Sequence, residues 1–355
     1  MSAPITSIDS FTKLNGPGLC YMVLQDQKII ETKSLGYADI QAKIQIDADT
    51  VFNIASNSKA ITAACLLIAE REDKVSPDDF LVNFVPELPA YASAIKVRDL
   101  IYHSSGLPDY GHICDSTNPV TNKEVIEFLS TATGLCFDSG TRYEYSNSGY
   151  VMLAEVLHRA TGKKFPSLVK EQIFDPLDMS GSWVIDLENE QTNSKRARGY
   201  GYGPPFNVND FSNGDFVFGD GGIMMSIKDF SKWAIALSSQ GLFSGIELTK
   251  IFTPGKTGAG NLLSVVPSEG GFSVDKLEKV LNPASLCSEG NPSYGYGWIL
   301  ANIDRTPIYL HGGSWLGYRS AAAYVPTKKL WIAFFSNYQG TCRESILGEL
   351  LRKYL

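Results

Sequence analysis

The chain lacks the features that would place it in a membrane, on nucleic acid or in a disulfide-stapled scaffold. Its longest largely apolar stretch, Ala60 to Ala69, falls well short of the about 20 residues that a bilayer-spanning helix needs. Basic residues never cluster in runs of five, and the net charge of -7 disfavours a general nucleic-acid binder. The six cysteines (Cys20, Cys65, Cys114, Cys136, Cys287, Cys342) are scattered, without a CxxC pair or any metal-like spacing. Met1 to Asn15 has no charged start, apolar run and small-residue cleavage site of a secretory signal. These absences predict a cytoplasmic protein with free thiols and with no nucleic-acid or membrane partner. Repeats and low-complexity segments are also missing.

What is present is an ordinary globular composition, 44% apolar and 19% charged, in 355 residues, enough for one large unit or two domains. Leu19 to Leu24, a polar turn at Gln25 to Gln27, and Lys28 to Leu35 read as a hairpin. Ser56 opens a helical pattern that fades at Glu70 to Lys74. Helices follow near Asn122 to Ser130, with a Thr121/Glu124 capping box, at Ser148 to Ala160 before Gly162, and at Ser226 to Ser238. Four β-rich runs close the chain: Tyr296 to Asn302, Ile308 to His311, Tyr318 to Val325 and Leu330 to Ser336. A last helix spans Arg343 to Tyr354. The expected class is α+β: an antiparallel sheet built from both termini (1–75 and 285–355) and covered by the first and last helices. A mainly helical domain (76–284) is inserted, with the active site between the two.

A Ser-x-x-Lys tetrapeptide places both side chains on one helix face, where the amine can take the hydroxyl proton. Five copies occur, beginning at Ser10, Ser56, Ser93, Ser167 and Ser273. Ser56 is singled out by the apolar lead-in Val51-Phe52-Asn53-Ile54-Ala55 and the helix it opens, whose free N–H groups suit a developing oxyanion. Lys59, set among Ala55, Ala60 and Ile61, is expected to be partly buried, which favours the neutral amine that a base requires. Tyr145-Ser146-Asn147 is the only Tyr-x-Asn in the chain. In an extended segment Tyr145 and Asn147 share a side, where a tyrosine can pass a proton and an asparagine can hold a lysine. The plainer alternative makes Tyr145 a core aromatic and Asn147 a helix cap. His311-Gly312-Gly313-Ser314, at a strand end, would let a substrate lie along the backbone, with the Ser314 N–H joining that of Ser56 in an oxyanion hole. His311 alone also reads as a plain strand histidine. Lys256-Thr257-Gly258 mimics a lysine form of this motif but lies in loop sequence. Tyr110, Tyr200, Tyr202 and Phe206 are candidate pocket aromatics.

In order and spacing, Ser56-x-x-Lys59, Tyr145-x-Asn147 and His311-Gly312-Gly313 resemble the three signatures of the serine β-lactamase and penicillin-binding protein superfamily. The resemblance is closest to its class C-like branch, with D-aminopeptidases, esterases, transesterases and D-alanyl-D-alanine carboxypeptidases. Leu100 to Leu107, Tyr143 to Gly149, Gly221-Gly222-Ile223 and Gly317 to Ser320 extend it over nearly the whole chain. It implies the β-lactamase/transpeptidase-like fold and an acyl-enzyme on Ser56, with Lys59 and Tyr145 as the acid–base pair. It further implies an orienting Asn147, an oxyanion hole from Ser56 and Ser314, and no metal or organic cofactor.

One departure stands out: β-lactamases commonly carry lysine where this chain has His311. A neutral histidine offers no fixed charge to a lactam carboxylate. The expected activity is therefore hydrolysis of a small ester or amide, including D-aminoacyl compounds, by a small-molecule enzyme of the cytoplasm. The alternative is an acyltransferase or transesterase on the same site. A β-lactamase and a catalytically silent scaffold rank below both.

Overall fold

The first hairpin turns on Asp26 (φ 48°) and Gln27 (φ 64°), a two-residue turn whose left-handed backbone matches the twist of its strands. It joins β1 (Leu19–Gln25) to β2 (Lys28–Leu35). The computed structural model describes residues 4–187, 195–265, 272–281 and 291–355. Cys287 and the expected boundary at 285 lie outside the described residues. A short helix, α1 (Ile8–Leu14), precedes the hairpin, and β3 (Tyr37–Asp39), β4 (Ile44–Gln45) and β5 (Val51–Asn53) lead into α2 (Ser58–Arg71). The central stretch holds α3 (Val97–Ile101), α4 (Asn122–Thr131), α5 (Asn147–Thr161), α6 (Phe165–Val169), β6 (Trp183–Val184), β7 (Ile223–Ser226) and α7 (Ile227–Ala236). It continues with α8 (Gly245–Ile251) and α9 (Val274–Leu281). The chain ends with β8 (Ser293–Tyr294), β9 (Ile299–Ile303), β10 (Thr306–Trp315), β11 (Tyr318–Val325), β12 (Leu330–Ser336) and α10 (Arg343–Tyr354).

The main sheet runs β2-β1-β12-β11-β10-β9-β8, every neighbouring pair antiparallel. β1 pairs with β12 from Leu19↔Ser336 to Gln25↔Leu330, so the first strand closes against the last. Side chains alternate across these strands. Trp331 and Phe335 therefore share a face, which Phe230 of α7 covers at ring distances of 6.3 and 5.6 Å. Tyr21, opposite Phe334, shares the other face with α10: the Glu31 carboxylate beside it accepts from Tyr21 Oη at 2.6 Å and Lys353 Nζ at 2.6 Å.

Three features differ from the sequence expectation. The helix that covers one sheet face, α7, comes from the middle of the chain, because Phe230, Trp233 and Ala234 form an apolar side that mates with β1 and β12. The middle stretch also supplies β6 and β7, which pair with β5 in a second sheet ordered β5-β7-β6; Ile223 to Ser226 is too short and too evenly apolar to show a period of two. Finally, β9 begins at Ile299 rather than at Tyr296. The intervening Gly297 has φ +79°, and a Cβ there would stand 2.4 Å from the Ala60 Cα of α2. The strand yields where α2 crosses it. The helix starts and stops otherwise follow their caps: Thr121 N donates to Glu124 Oε2 at 2.8 Å, Ser226 Oγ accepts from Asp229 N at 3.1 Å, and Gly162 ends α5 at φ 71°.

Gly297→Ala should cost about 2–4 kcal/mol, combining a left-handed alanine with overpacking against the α2 backbone. Gly258→Ala, with nothing within 4 Å of its added carbon, serves as the near-neutral control in urea titration.

Candidate active site

Ser56 sits in a single 3₁₀ turn, Ala55–Asn57, between β5 and α2. The turn is held from both sides. Ala55 carries a left-handed backbone (φ 48°), and its N–H donates to Asn53 Oδ1 at 2.8 Å. Ser320 of β11 donates to the Ile54 carbonyl at 2.7 Å and accepts from Asn57 Nδ2 at 2.8 Å. These contacts are buried, so losing the Ser320 hydroxyl strands two polar groups at once.

One helical turn on, Lys59 is fully buried. Its Nζ lies 3.2 Å from Ser56 Oγ, 2.9 Å from Asn147 Oδ1 and 2.8 Å from the Asp220 carbonyl oxygen, with the Tyr145 ring centroid 4.9 Å away. Burial thus comes with three polar acceptors rather than with apolar contacts alone. The other four Ser-x-x-Lys copies form no such pair. Lys13, Lys96 and Lys170 turn to Asp9, Asp78 and Asp175, at 2.6, 3.0 and 2.5 Å, and Ser273 Oγ accepts from the backbone N–H of Lys276 at 3.2 Å. Ser10 and Ser167 lie on helices α1 and α6.

Asn147 is the first residue of α5, and Ser146 rather than Asn147 caps it, accepting from Gly149 N at 3.0 Å. That frees the Asn147 side chain for Lys59. The Tyr145 hydroxyl is buried and has no hydrogen-bond partner among the described residues. Its ring stacks on His103 at 4.4 Å, and His103 brackets it along the chain: the Glu144 N–H donates to the His103 carbonyl at 2.8 Å and the Ser146 N–H to its Nδ1 at 3.0 Å.

His311 to Ser314 lie within β10, not at its end. β9 pairs with β10 only from Thr306 to Leu310, so β9 leaves the edge from His311 onward uncovered. Gly313 approaches the Ser56 turn so closely that a Cβ would stand 2.3 Å from both the Ile54 oxygen and Ser320 Oγ. Gly312 lies against the Phe272 ring. A cavity of about 120 Å³ opens here, and Ser56, Tyr110, Asn147, Asp220, Ser314 and Trp315 are on its wall. Of the other candidate aromatics, Tyr200 is buried with its hydroxyl on the Ile40 N–H, Phe206 packs on Tyr338 and Tyr202 faces a separate cavity. The Lys256 decoy makes only an isolated bridge to Leu262.

A family model described as Beta-lactamase matches residues 8–352. The chain belongs to the beta-lactamase family. Penicillin-binding protein 4* of Bacillus subtilis (strain 168) is 26% identical over 317 residues, covering 87% of this chain and 65% of that protein. A D-aminopeptidase of Brucella anthropi is 29% identical over 343 residues, 93% of this chain and 58% of that one. The chain thus spans about three fifths of the length of these curated relatives. Among solved structures, the octameric penicillin-binding protein homologue from Pyrococcus abyssi matches with a TM-score of 0.79 at 23% identity, covering 97% of this chain and 75% of that one. The D-amino acid amidase from Ochrobactrum anthropi SV3 matches at 0.74 and 22%, covering 98% of each. At these identities the structures establish the β-lactamase/transpeptidase-like fold.

In this member of the beta-lactamase family, sequence reasoning left several site residues without a role. His103 lies within Leu100 to Leu107, but nothing local shows that it will stack on Tyr145. Asp220, next to Gly221-Gly222, brings its carbonyl to Lys59, and Asp109 Oδ2 accepts from the Asn147 N–H at 3.2 Å. Both are set by tertiary contact.

His311 is buried with both ring nitrogens engaged. Nδ1 lies 2.8 Å from the Gly312 carbonyl, which can only accept, so Nδ1 carries the proton and Nε2 accepts from Tyr294 Oη at 3.0 Å. Burial, and next the Lys59 charge, pushes its pKa from 6.5 down to about 3. The ring is neutral at pH 7. Below pH 6.5 the unfolded chain binds a proton here that the folded chain refuses until about pH 3, so stability falls as pH falls through that window. The cost is about 1.4 kcal/mol per pH unit. Urea titrations between pH 6 and 4 should show a slope shallower by that amount in His311→Gln; equal slopes would mean that the ring titrates normally.

Proposed function

We propose that this chain is a serine hydrolase that forms an acyl-enzyme on Ser56 and cleaves a small ester or amide. The observation that carries this reading is the Lys59 contact, Nζ to Ser56 Oγ at 3.2 Å, with Asn147 Oδ1 and the Asp220 carbonyl on the same nitrogen. As Ser56 Oγ bonds to the substrate carbonyl carbon, its proton moves to the Lys59 amine. The ammonium so formed is held by two carbonyl oxygens and by the faces of Tyr145 and Tyr150. The carbonyl oxygen gains negative charge at the mouth of the cavity, where the backbone N–H groups of Ser56 and Ser314 are the assigned donors, each worth roughly 10²–10³ in rate. Tyr145, whose hydroxyl has no other partner among the described residues, passes the proton to the departing alcohol or amine. Water then attacks the acyl-enzyme by the reverse relay, releasing the acid and restoring the Ser56 hydroxyl.

The B. anthropi relative, a D-aminopeptidase, supports amides as well as esters as substrates. His311 supports the same choice, since its spent donors and neutral ring give a β-lactam carboxylate nothing to bind. We place the enzyme in the cytoplasm, in keeping with the buried thiols of Cys20 and Cys65.

A fluorophosphonate probe should label the wild-type protein at Ser56, and Ser56→Ala should abolish both labelling and turnover while melting like the wild type. Labelling at Ser10, Ser93, Ser167 or Ser273 would sink the assignment. Lys59→Ala and Tyr145→Phe should each lower kcat by at least about 10²-fold, and the double variant should lose little more than the worse single one, because both serve one proton path. Strictly multiplicative losses would show that the two residues act independently.

A further inference from the structure

One Ser-x-x-Lys copy outside the catalytic site lines a cavity of its own. Ser273 and Lys276, at the start of α9, border a space of about 320 Å³ beside Tyr202, together with Arg319 of β11 and Arg343 of α10. This cavity shares no lining residue with the one at Ser56. Its wall holds three cations and a single carboxylate, Glu344, in a chain whose net charge is -7. Glu344 is turned to other work. Its Oε1 accepts from the Ser273 N–H at 3.0 Å, and it forms no ion pair among the described residues.

The two arginines are placed unlike the others. Arg71, Arg98, Arg142, Arg159 and Arg198 each have a carboxylate within 3.3 Å. Arg319 and Arg343 have none among the described residues. Arg319 Nη1 donates to the Leu316 and Tyr318 carbonyls at 2.9 and 2.7 Å, which leaves its Nε and Nη2 unused. The Arg343 side chain makes no hydrogen bond among the described residues; its guanidinium lies 5.9 Å from the centre of the Phe272 ring. Burial pushes Arg319 down to about 10, with the Arg343 charge adding to it, and burial lowers Arg343 as well. A guanidinium cannot shed its proton to escape this cost, so two of them in one wall call for an anion.

We propose that this cavity is a binding site for a phosphate group, free or carried as a monoester on a small molecule, separate from the cavity at Ser56. Guanidinium forks match the oxygens of a phosphate, and Lys276 adds an exposed point charge at the rim. Ser273 Oγ accepts from the Lys276 N–H at 3.2 Å, so its own proton remains to be donated. The twelve-residue helix α10 begins at Arg343 without a side-chain cap, and Cys342, Arg343 and Glu344 of its first turn line the same cavity. The positive end of its dipole adds to the attraction. A phosphate monoester carries about two negative charges at neutral pH, which matches the excess of cations over carboxylates in the wall.

The test is calorimetric titration of the whole chain with inorganic phosphate, sodium chloride holding the ionic strength constant. The wild type should bind one phosphate with a Kd of about 1 mM or below, as a few charge-assisted bonds allow. Arg343→Gln, which strands no hydrogen-bond partner, should weaken binding by about 10- to 100-fold. Lys276→Gln, on an exposed side chain that the fold does not need, should weaken it by about threefold. Glycerol phosphate distinguishes the two sources: tighter binding than inorganic phosphate marks the ligand as an ester, weaker binding as the free ion. Saturating phosphate should leave fluorophosphonate labelling of Ser56 unchanged. No heat of binding in the wild type would overturn the proposal, and so would wild-type affinity in both variants. Succinate bound more tightly than phosphate would overturn the choice of ligand. Labelling of Ser56 blocked by phosphate would place the anion in the catalytic cavity and defeat the claim of a separate site.

Discussion

The site depends on one buried nitrogen. Lys59 Nζ has no access to water, and a lysine in that position is tolerable only where acceptors replace the lost hydration. Those acceptors come from three places far apart in the chain: Ser56 from the turn before α2, Asn147 from the first residue of α5 and Asp220 from the loop before β7. Each must reach within about 3 Å of one point. Lys59 therefore reports whether the sheet, the central helices and the loop before β7 have assembled together, and it couples the stability of that junction to its chemistry.

The sheet contributes rigidity at the opposite wall. β10 is clamped to β11 from Tyr309 to Trp315, yet its pairing with β9 stops at Leu310, so the segment carrying Gly313 and Ser314 has a fixed backbone and an edge that β9 does not cover. Ser320 ties this wall to the Ser56 turn through two buried hydrogen bonds. Backbone donors held this way lose little freedom on binding a developing charge, which is why a fixed strand edge serves better than a loop. His311 belongs to this scaffold: with both nitrogens satisfied inside the protein, it braces Tyr294 instead of reaching for a ligand.

The electrostatic arrangement is asymmetric. Lys59 lies beside Ser56 while Asp215 and Asp220 line the cavity, with the faces of Tyr145 and Tyr150 packed on the lysine and His103 stacked on Tyr145. Low-polarity packing strengthens every charge interaction inside it.

Much of this was legible in the chain. The hairpin at Asp26-Gln27, the caps at Thr121 and Ser226, the stop at Gly162 and the last three strands follow local rules, because turn and cap preferences act over a few residues. Ser56 and Lys59 are neighbours on one helical turn, so their meeting was implied by spacing. Other features came only with tertiary structure. Residues at 103, 220 and 320 carry no local mark of their partners, and β6 and β7 are too short for a periodic signal. The sequence by itself determined the Ser56–Lys59 pair, the α+β class and the closing of the sheet by both termini. Tertiary structure alone decided that Asn147 faces Lys59 instead of capping its helix, that His311 turns inward, and that Asp220 brings its carbonyl oxygen to Lys59. Those outcomes depend on which surfaces meet across hundreds of residues, and hydrogen-bond satisfaction at such meetings is a property of the assembled fold.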